Sequence, residues 1–182
     1  TYKGGTGNDV VLTHINTPAD FRDRSITTVV GENGLVTLKG TIVEVDPKDT
    51  FKLTINWGDG KSQIFNSAAG SNGRLVSLSH SYISGRVAPY IVTLTWQDSN
   101  KAGGTAQLEV QVLNVAPTAK ITALGSLLAN QTGNFSFKAT DPADQSSNMT
   151  WTIDWGDNVT ETLTRSSSFT YGHKYSRGGN YL

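Results

Sequence analysis

The side chains most suited to chemistry in this chain occur twice, in the same order and at similar spacing. Each copy has a Trp-Gly-Asp triplet that is followed further along the chain by a His-x-Tyr triplet. The residues are Trp57, Asp59, His80 and Tyr82 in the first copy, and Trp155, Asp157, His173 and Tyr175 in the second. A carboxylate, an imidazole and a phenol are groups that take part in general acid–base catalysis and metal binding.

The pattern around these residues does not favour catalysis. No second carboxylate recurs at a fixed offset suited to acid–base work, and no G-x-S-x-G context supports a nucleophilic serine. Each copy has one recurrent His, whereas a zinc site needs about three or four protein ligands. We therefore expect Asp59 and Asp157 to close Asx-type turns by accepting backbone N–H groups two residues on. We expect each His to be partly buried beside its turn and each Trp to lie in the core, with an exposed sugar-stacking Trp as the alternative.

Two Asp-Pro-x-Asp loops supply candidate calcium ligands: Asp46 with Asp49, and Asp141 with Asp144. Carboxylates three positions apart offer hard oxygen ligands, and calcium takes about six to eight oxygens, which neighbouring loops would have to complete. The candidates to join them are Asp98, Asn100 and Asn114. The alternative is a Pro-nucleated turn capped by Asp, which needs no ion.

Residues 4–12 match the nine-residue G-G-x-G-x-D-x-U-x calcium repeat, with Asp9 as its carboxylate. Ions of this kind are held between successive repeats, and no second copy follows, so Asp9 is a weaker candidate ligand than the loop carboxylates. The segment resembles the closing hairpin of repeat regions in large bacterial surface proteins. We therefore expect residues 1–15 to form the closing strand of an upstream domain.

Alternation of apolar and polar residues dominates the chain and predicts half-buried β-strands. Clear examples are residues 35–43, 51–57, 90–96 and 106–112, with turn signals such as 58–60 and 71–73 between them. No segment has the period of an amphipathic helix. About seven short strands with this spacing predict an immunoglobulin-like sandwich.

The two motif copies lie about a hundred residues apart, which is the size of a domain rather than of a solenoid repeat. The sequence therefore predicts an all-β fold of tandem immunoglobulin-like antiparallel β-sandwiches, over residues 16–116 and 117–182. The second copy lacks the two strands that follow His-x-Tyr in the first. It is therefore expected to be truncated at its C-terminus.

The amino-acid composition argues against nucleic acid as a partner and against a membrane span. The 15 basic and 15 acidic residues give a net charge of zero without any block of like charge, which excludes the clustered basic surface that nucleic acid binding requires. No apolar run approaches the roughly 20 residues of a membrane span. Cys is absent while Thr, Ser, Asn and Gly are abundant, a composition that suits a secreted bacterial protein stable without disulfides.

The residues Ile55-Asn56-Trp57-Gly58-Asp59-Gly60, the His-x-Tyr at 80–82 and the strand at 90–95 resemble the PKD domain family, and residues 153–157 and 173–175 repeat the pattern. Two positions depart from it: Asn158 replaces the second Gly of the turn, and Trp96 stands where Val is common. The resemblance implies a sandwich similar to immunoglobulin and fibronectin domains, without catalysis of its own. Such domains occur in bacteria as accessory modules of secreted enzymes and surface proteins, and some bind calcium at loops of this sort.

The functional hypothesis is a non-catalytic spacer or interaction module of a secreted or cell-surface bacterial protein, contacting protein or polysaccharide at the cell surface. It requires no cofactor, and calcium is the candidate ion. The alternative is a carbohydrate- or matrix-binding accessory module of a secreted hydrolase. That alternative needs a planar row of exposed aromatic rings, for which Trp96, Tyr90 or Tyr171 would have to lie outward. A third alternative makes the chain part of an enzyme whose active site lies elsewhere in the protein.

Overall fold

The computed structural model describes residues 15–123, 125–143 and 148–181 of the 182-residue chain. Three predictions lie outside the described residues. They are the closing strand over 1–15, of which only residue 15 is described, the calcium repeat with Asp9, and the candidate ligand Asp144. Within them the regular elements are thirteen β-strands, without a helix. The strands are β1 Asp20–Ile26, β2 Val29–Gly31, β3 Leu35–Val43, β4 Phe51–Asn56, β5 Ser62–Ser67, β6 Leu75–Ser81, β7 Tyr90–Asp98, β8 Gly103–Leu113, β9 Thr118–Ala123, β10 Thr132–Thr140, β11 Met149–Asp154, β12 Thr160–Arg165 and β13 Ser168–Lys174.

The chain divides into two compact units. The first holds the described residues up to Tyr82 together with Arg86–Leu113, and the second holds Ile83–Gly85 together with the described residues from Asn114 onward. Each unit contains its own cluster of buried apolar side chains, as independent sandwiches require.

The first unit is a sandwich of two sheets. One has the strand order β1-β3-β6, and the other has the order β2-β8-β7-β4-β5. The pairings are antiparallel except for the three-residue strand β2, which runs parallel to β8. The sheets face each other across a core that includes Phe21, Leu38, Leu53, Ile55 and Leu94, each no more than 1% exposed.

The alternation of β7 shows how the sequence builds this core. Tyr90, Val92, Leu94 and Trp96 are buried, while the residues between them face outward or are half-buried. Because successive side chains of a strand point to opposite faces, this pattern puts one face of β7 against the opposing sheet. The predicted strand at 90–96 therefore begins at the right residue and continues two residues further, to Asp98.

The second unit has the same layered plan with fewer described strands. One sheet has the order β13-β10-β9, and β11 pairs with β12 in the other. Its core is Phe137, Ala139, Trp151, Ile153 and Trp155, with partly buried apolar side chains packed around it. The predicted all-β class of immunoglobulin-like β-sandwiches is confirmed.

Candidate functional site

In the first unit the Trp-Gly-Asp triplet forms the turn between β4 and β5. Asn56 Oδ1 accepts the N–H of Gly58 at 2.9 Å, and Asp59 Oδ1 accepts the N–H of Lys61 at 3.0 Å. Each of these two side chains thus closes an Asx-type turn. Trp57 is 1% exposed and lies in the core.

His80 is packed on this turn from the opposite sheet. Its Nε2 lies 2.9 Å from Oδ2 of Asp59, and its ring stacks on Trp57 with centroids 4.7 Å apart. The edge-on ring of Tyr82 lies 4.7 Å from the His80 ring. Tyr82 itself is fully buried and donates its hydroxyl to the carbonyl oxygen of Trp57 at 2.8 Å. We call these four residues the turn clamp, because they join the β4–β5 turn of one sheet to β6 of the other.

The second unit repeats the turn clamp with almost the same distances. His173 Nε2 lies 2.9 Å from Asp157 Oδ2, and the His173 ring stacks on Trp155 with centroids 4.3 Å apart. Tyr175 meets His173 edge-on and donates its hydroxyl to the carbonyl oxygen of Trp155 at 3.2 Å. The turn between β11 and β12 is thereby joined to β13 of the other sheet. Four residue types recur because they hold two sheets together in each unit.

The electrostatics of the turn clamp favour an ionised Asp and a neutral Tyr. Burial acts to raise the pKa of Asp59, but the hydrogen bonds from His80 and from the N–H of Lys61 outweigh it and leave that pKa below its ordinary value. At Asp157 the hydrogen bond from His173 is the main cause of a lowered pKa. Burial raises the pKa of Tyr82 and, to a smaller extent, that of Tyr175.

A second group of polar side chains lies in the loop that follows β3 and at the last residue of β7. One carboxylate oxygen from each of Glu44, Asp46 and Asp49 lies within 4.8 Å of the others. Asp98, at the end of β7, is close enough to raise the pKa of Glu44. Glu44, Asp46 and Asp98 are 2%, 7% and 3% exposed. We call these four residues the acidic loop cluster.

Glu44 is the most unusual member of the acidic loop cluster. Its Oε1 accepts the N–H of Asp46 at 2.9 Å, but its buried Oε2 has no hydrogen-bond partner among the described residues. Burial raises the pKa of Glu44, and the neighbouring carboxylates of Asp98, Asp49 and Asp46 raise it further. A buried carboxylate with an unsatisfied oxygen is costly unless a cation or a donor compensates it.

The donor set around Glu44 fits a hard divalent cation. Its members are carboxylates, and Asp49 is held towards them by Ser99 Oγ at 2.6 Å and Asn100 Nδ2 at 2.8 Å. In the described part of the chain, Glu44, Asp49 and Asp98 form no ion pair with a basic side chain. Calcium binds oxygen ligands of this kind. The residues that would hold it are Glu44, Asp46 and Asp49, with Asp98 beside them.

The sequence predicted part of this group and missed Glu44, its least exposed member. Asp46, Asp49, Asp98 and Asn100 were candidates and lie together, whereas Asn114 belongs to the second unit. Glu44 was not predicted, although the spacing Glu44-x-Asp46-x-x-Asp49 carries a signal: three acidic residues at the end of a strand. Glu44 is also the member with a buried carboxylate oxygen that a cation would neutralise.

The second Asp-Pro-x-Asp loop differs from the first. Asp141 Oδ1 accepts the N–H of Ala143 at 2.8 Å, which closes a turn of the Pro-nucleated kind. Ala139 precedes Asp141 by two residues, as Glu44 precedes Asp46 in the first unit. Ala139 is 7% exposed and packs in the core. The doubled motif therefore does not double the group of buried carboxylates among the described residues.

The aromatic side chains considered for sugar stacking do not form an outward row. Trp96 is 6% exposed and donates its Nε1–H to the carbonyl oxygen of Ala19 at 3.1 Å. Tyr90 is 8% exposed, and Tyr171 is partly buried and packs against the core. The aromatic platform required by the carbohydrate-binding alternative is not built from these three residues.

Comparisons with known proteins give structural likeness at low sequence identity. No family model matches the chain, and no curated protein matches it. Similar solved structures include the PKD domain of an M14-like peptidase from a Thermoplasmatales archaeon, at 20% identity and a TM-score of 0.44, over 54% of this chain and 99% of that one. They also include the FN1–FN3 domains of chicken CNTN1, at 10% identity and a TM-score of 0.34, over 88% of this chain and 56% of that one. In the described residues, no helix has the length and hydropathy to cross a membrane.

Proposed function

We propose that this chain is a pair of PKD-like, non-catalytic β-sandwich modules that act as spacer or interaction units in a bacterial extracellular or cell-surface protein. Its contacts are with protein at that surface, of an adhesive kind, and calcium bound at the acidic loop cluster stabilises its first unit. The observation that carries the proposal is the doubled turn clamp. In the turn clamp, the recurrent Asp, His and Tyr of each unit hold two sheets together.

The turn clamp supports a structural role because the carboxylate, imidazole and phenol of each unit are hydrogen-bonded to one another or to the backbone. The imidazole of His80 binds the carboxylate of Asp59, and that carboxylate also accepts a backbone N–H. The phenol of Tyr82 binds a backbone carbonyl and is fully buried. A catalytic group must reach its substrate within hydrogen-bond distance, and these side chains are positioned towards one another instead.

The calcium part of the proposal is supported by Glu44. Its Oε2 is buried without a hydrogen-bond partner among the described residues, and three further carboxylates surround it. Such a group is a net cost to the fold unless a cation binds. Extracellular modules bind calcium with dissociation constants of roughly 10⁻⁴–10⁻³ M, which sets the range of calcium concentration over which the site is to be tested.

Calcium titration calorimetry of the whole chain, paired with thermal melting in calcium and in EDTA, tests the proposal. We expect one equivalent of calcium to bind, and at a hundredfold excess over Kd the ion should add about 2.7 kcal/mol to the free energy of unfolding. Magnesium at the same concentration is the control ion, since it demands a smaller and more rigid site. An unchanged melting midpoint at about 100 mM calcium, a hundredfold excess over the weaker of these dissociation constants, would remove the ion from the proposal. Hydrolysis of peptide or glycan substrates by the chain would contradict its non-catalytic part.

A further inference from the structure

We propose that calcium at the acidic loop cluster latches the segment that leads into β1 onto the first sandwich. This segment, residues 15–18, is called the entry segment here. The inference rests on the proposed calcium site and adds what the ion would control. It concerns the attachment of one stretch of chain, not only the stability of the fold.

The entry segment is held by polar contacts to the acidic loop cluster. The N–H of Thr17 donates to Asp46 Oδ2 at 2.8 Å, and Asn16 Nδ2 donates to Asp98 Oδ2 at 2.8 Å. The side chain of Asn100 donates both to Asn16 Oδ1 and to Asp49 Oδ2, each at 2.8 Å. The entry segment is therefore bonded to two of the four carboxylates directly and to a third through Asn100.

Apolar contacts do not anchor the entry segment in the same way. Ile15 is 81% exposed, and the first buried side chain among the described residues is that of Ala19, at 3% exposure. Residues 15–18 also precede β1, so they lie outside the strand ladders. Their hold on the sandwich depends on the position of the carboxylates that accept their hydrogen bonds.

The charge of the acidic loop cluster makes that position sensitive to a cation. The cluster brings together three carboxylates from the β3–β4 connection and one from the end of β7. Like charges repel most strongly where water is excluded, so without a cation the two connections are pushed apart. A divalent ion reverses the sign of the interaction and draws them together, and the entry segment bridges both.

Glu44 provides the observation that points to a ligand. It is 2% exposed, one of its carboxylate oxygens lies within 4.8 Å of those of Asp46 and Asp49, and its Oε2 has no hydrogen-bond partner among the described residues. An acidic group on a surface needs no ion, but a buried and unsatisfied carboxylate oxygen is costly until a cation or a proton neutralises it. The same ion that satisfies Glu44 would hold Asp46 and Asp98 in the positions from which they bind Thr17 and Asn16.

A spin label on the whole chain tests the latch directly. The chain has no Cys, so Ile15→Cys creates a single attachment site on the exposed start of the entry segment. We expect calcium to lengthen the rotational correlation time of this label several-fold and EDTA to reverse the change. The control is Val87→Cys: Val87 is 100% exposed, and its loop precedes β7 at the end opposite Asp98. A label there should not respond to calcium.

The latch and the calcium site can fail separately. If calorimetry shows that calcium binds but the label at position 15 keeps its mobility, the latch is overturned and the site stands. If calcium does not bind at all, the site itself is overturned. An equal response of the labels at positions 15 and 87 would indicate a global change and would contradict a local latch.

A second variant tests the residue through which the latch acts. Asn16→Ala removes the bonds to Asp98 and Asn100 while leaving the four carboxylates in place. In this background the label should stay mobile in calcium, although calorimetry still detects binding. Immobilisation equal to that of the parent would overturn the role of Asn16.

Discussion

His80 Nε2 and Asp59 Oδ2 lie 2.9 Å apart although the two residues belong to different sheets and are separated by 21 positions in the sequence. The pair in the second unit, His173 and Asp157, has the same distance across 16 positions. Different loop lengths thus lead to one geometry. That convergence is the strongest indication that the contact is a requirement of the sandwich.

The first prediction concerns acid stability. The pKa of Asp59 is lowered below its ordinary value of 3.8, so the folded chain binds this proton less readily than the unfolded chain does. The stability that Asp59 contributes is therefore present above about pH 4 and is lost as the pH falls through the lowered pKa. Asp59→Asn should cost about 1 kcal/mol at pH 7, and the difference from the parent should vanish near pH 2.

Urea unfolding followed by Trp fluorescence at a series of pH values measures this difference. Glu109→Gln is the control, since Glu109 is exposed on β8. A loss of stability in Asp59→Asn that is equally large at pH 2 and pH 7 would show that the charge of Asp59 is not its cause.

The second prediction compares two equivalent Tyr residues. Tyr82 is fully buried and its hydroxyl lies 2.8 Å from the Trp57 carbonyl, whereas Tyr175 is partly buried and its bond is 3.2 Å long. Removing the hydroxyl leaves a carbonyl without its donor, at a cost of about 1–2 kcal/mol for Tyr82→Phe. Tyr175→Phe should cost less, because water can replace its hydroxyl.

The raised pKa of Tyr82 predicts that the folded chain loses stability at alkaline pH. Burial raises the pKa of Tyr82 above its ordinary value of 10.0, so above that pH the unfolded chain ionises while the folded chain keeps its proton. The stability contribution of Tyr82 is present below pH 10 and is lost as the pH rises further. Tyr82→Phe should therefore lose less stability than the parent between pH 9 and pH 11, as measured by urea unfolding at each pH. Equal slopes for the two proteins would contradict this account.

The third prediction separates backbone strain from steric conflict in the β4–β5 turn. Gly58 and Gly60 both have positive φ, of 81° and 87°. A Cβ on Gly58 would lie 2.6 Å from the carbonyl oxygen of Ile91, whereas a Cβ on Gly60 would meet nothing within 4 Å. Gly60→Ala should cost about 1–2 kcal/mol from strain alone, and Gly58→Ala should cost more because the backbone of β7 must also move.

The second unit supplies the matched control for this turn. Asn158 stands at the position of Gly60 and adopts a φ of 69°, as Asn tolerates the left-handed region better than most residues. Gly60→Asn should therefore be less destabilising than Gly60→Ala in thermal melting. A larger loss for Gly60→Asn than for Gly58→Ala would reverse the predicted order.

Much of the fold follows from local pattern, and the exceptions have physical causes. Strand β3 has the bounds that its alternation predicts, Leu35–Val43. Strand β1 was not predicted, because its pairing with β3 shifts register between Arg22 and Ser25, where Asp23 has a φ of 53°. Such a bulge interrupts the period of two on which the prediction depends.

The candidate site was less predictable because burial depends on the tertiary fold. Asp-Pro-x-Asp occurs twice in the sequence, and the two loops look equivalent there. Their difference lies two residues earlier, where Glu44 is a buried carboxylate and Ala139 is an apolar core residue. A Glu that directly follows a strand resembles an ordinary surface residue until the loops from β3 and β7 are seen to close over it.

The last prediction uses Glu44 to separate the cost of a buried charge from the benefit of a bound ion. In EDTA, Glu44→Gln removes a buried carboxylate from the neighbourhood of three others, so we expect the melting midpoint to rise or stay constant. In calcium, the same variant lacks a ligand, so its midpoint should gain much less than that of the parent. The melting midpoint of Glu44→Gln relative to that of the parent should thus be lower in calcium than in EDTA.

Asp141→Asn is the matched control, because Asp141 lies in the corresponding loop of the second unit, where Ala139 replaces the buried Glu. Its effect on the melting midpoint should be the same in calcium and in EDTA. If Glu44→Gln is equally destabilising under both conditions, the carboxylate of Glu44 stabilises the fold without an ion. If Asp141→Asn instead abolishes the calcium-dependent gain, the ion binds in the second unit, and the burial of Glu44 requires another explanation.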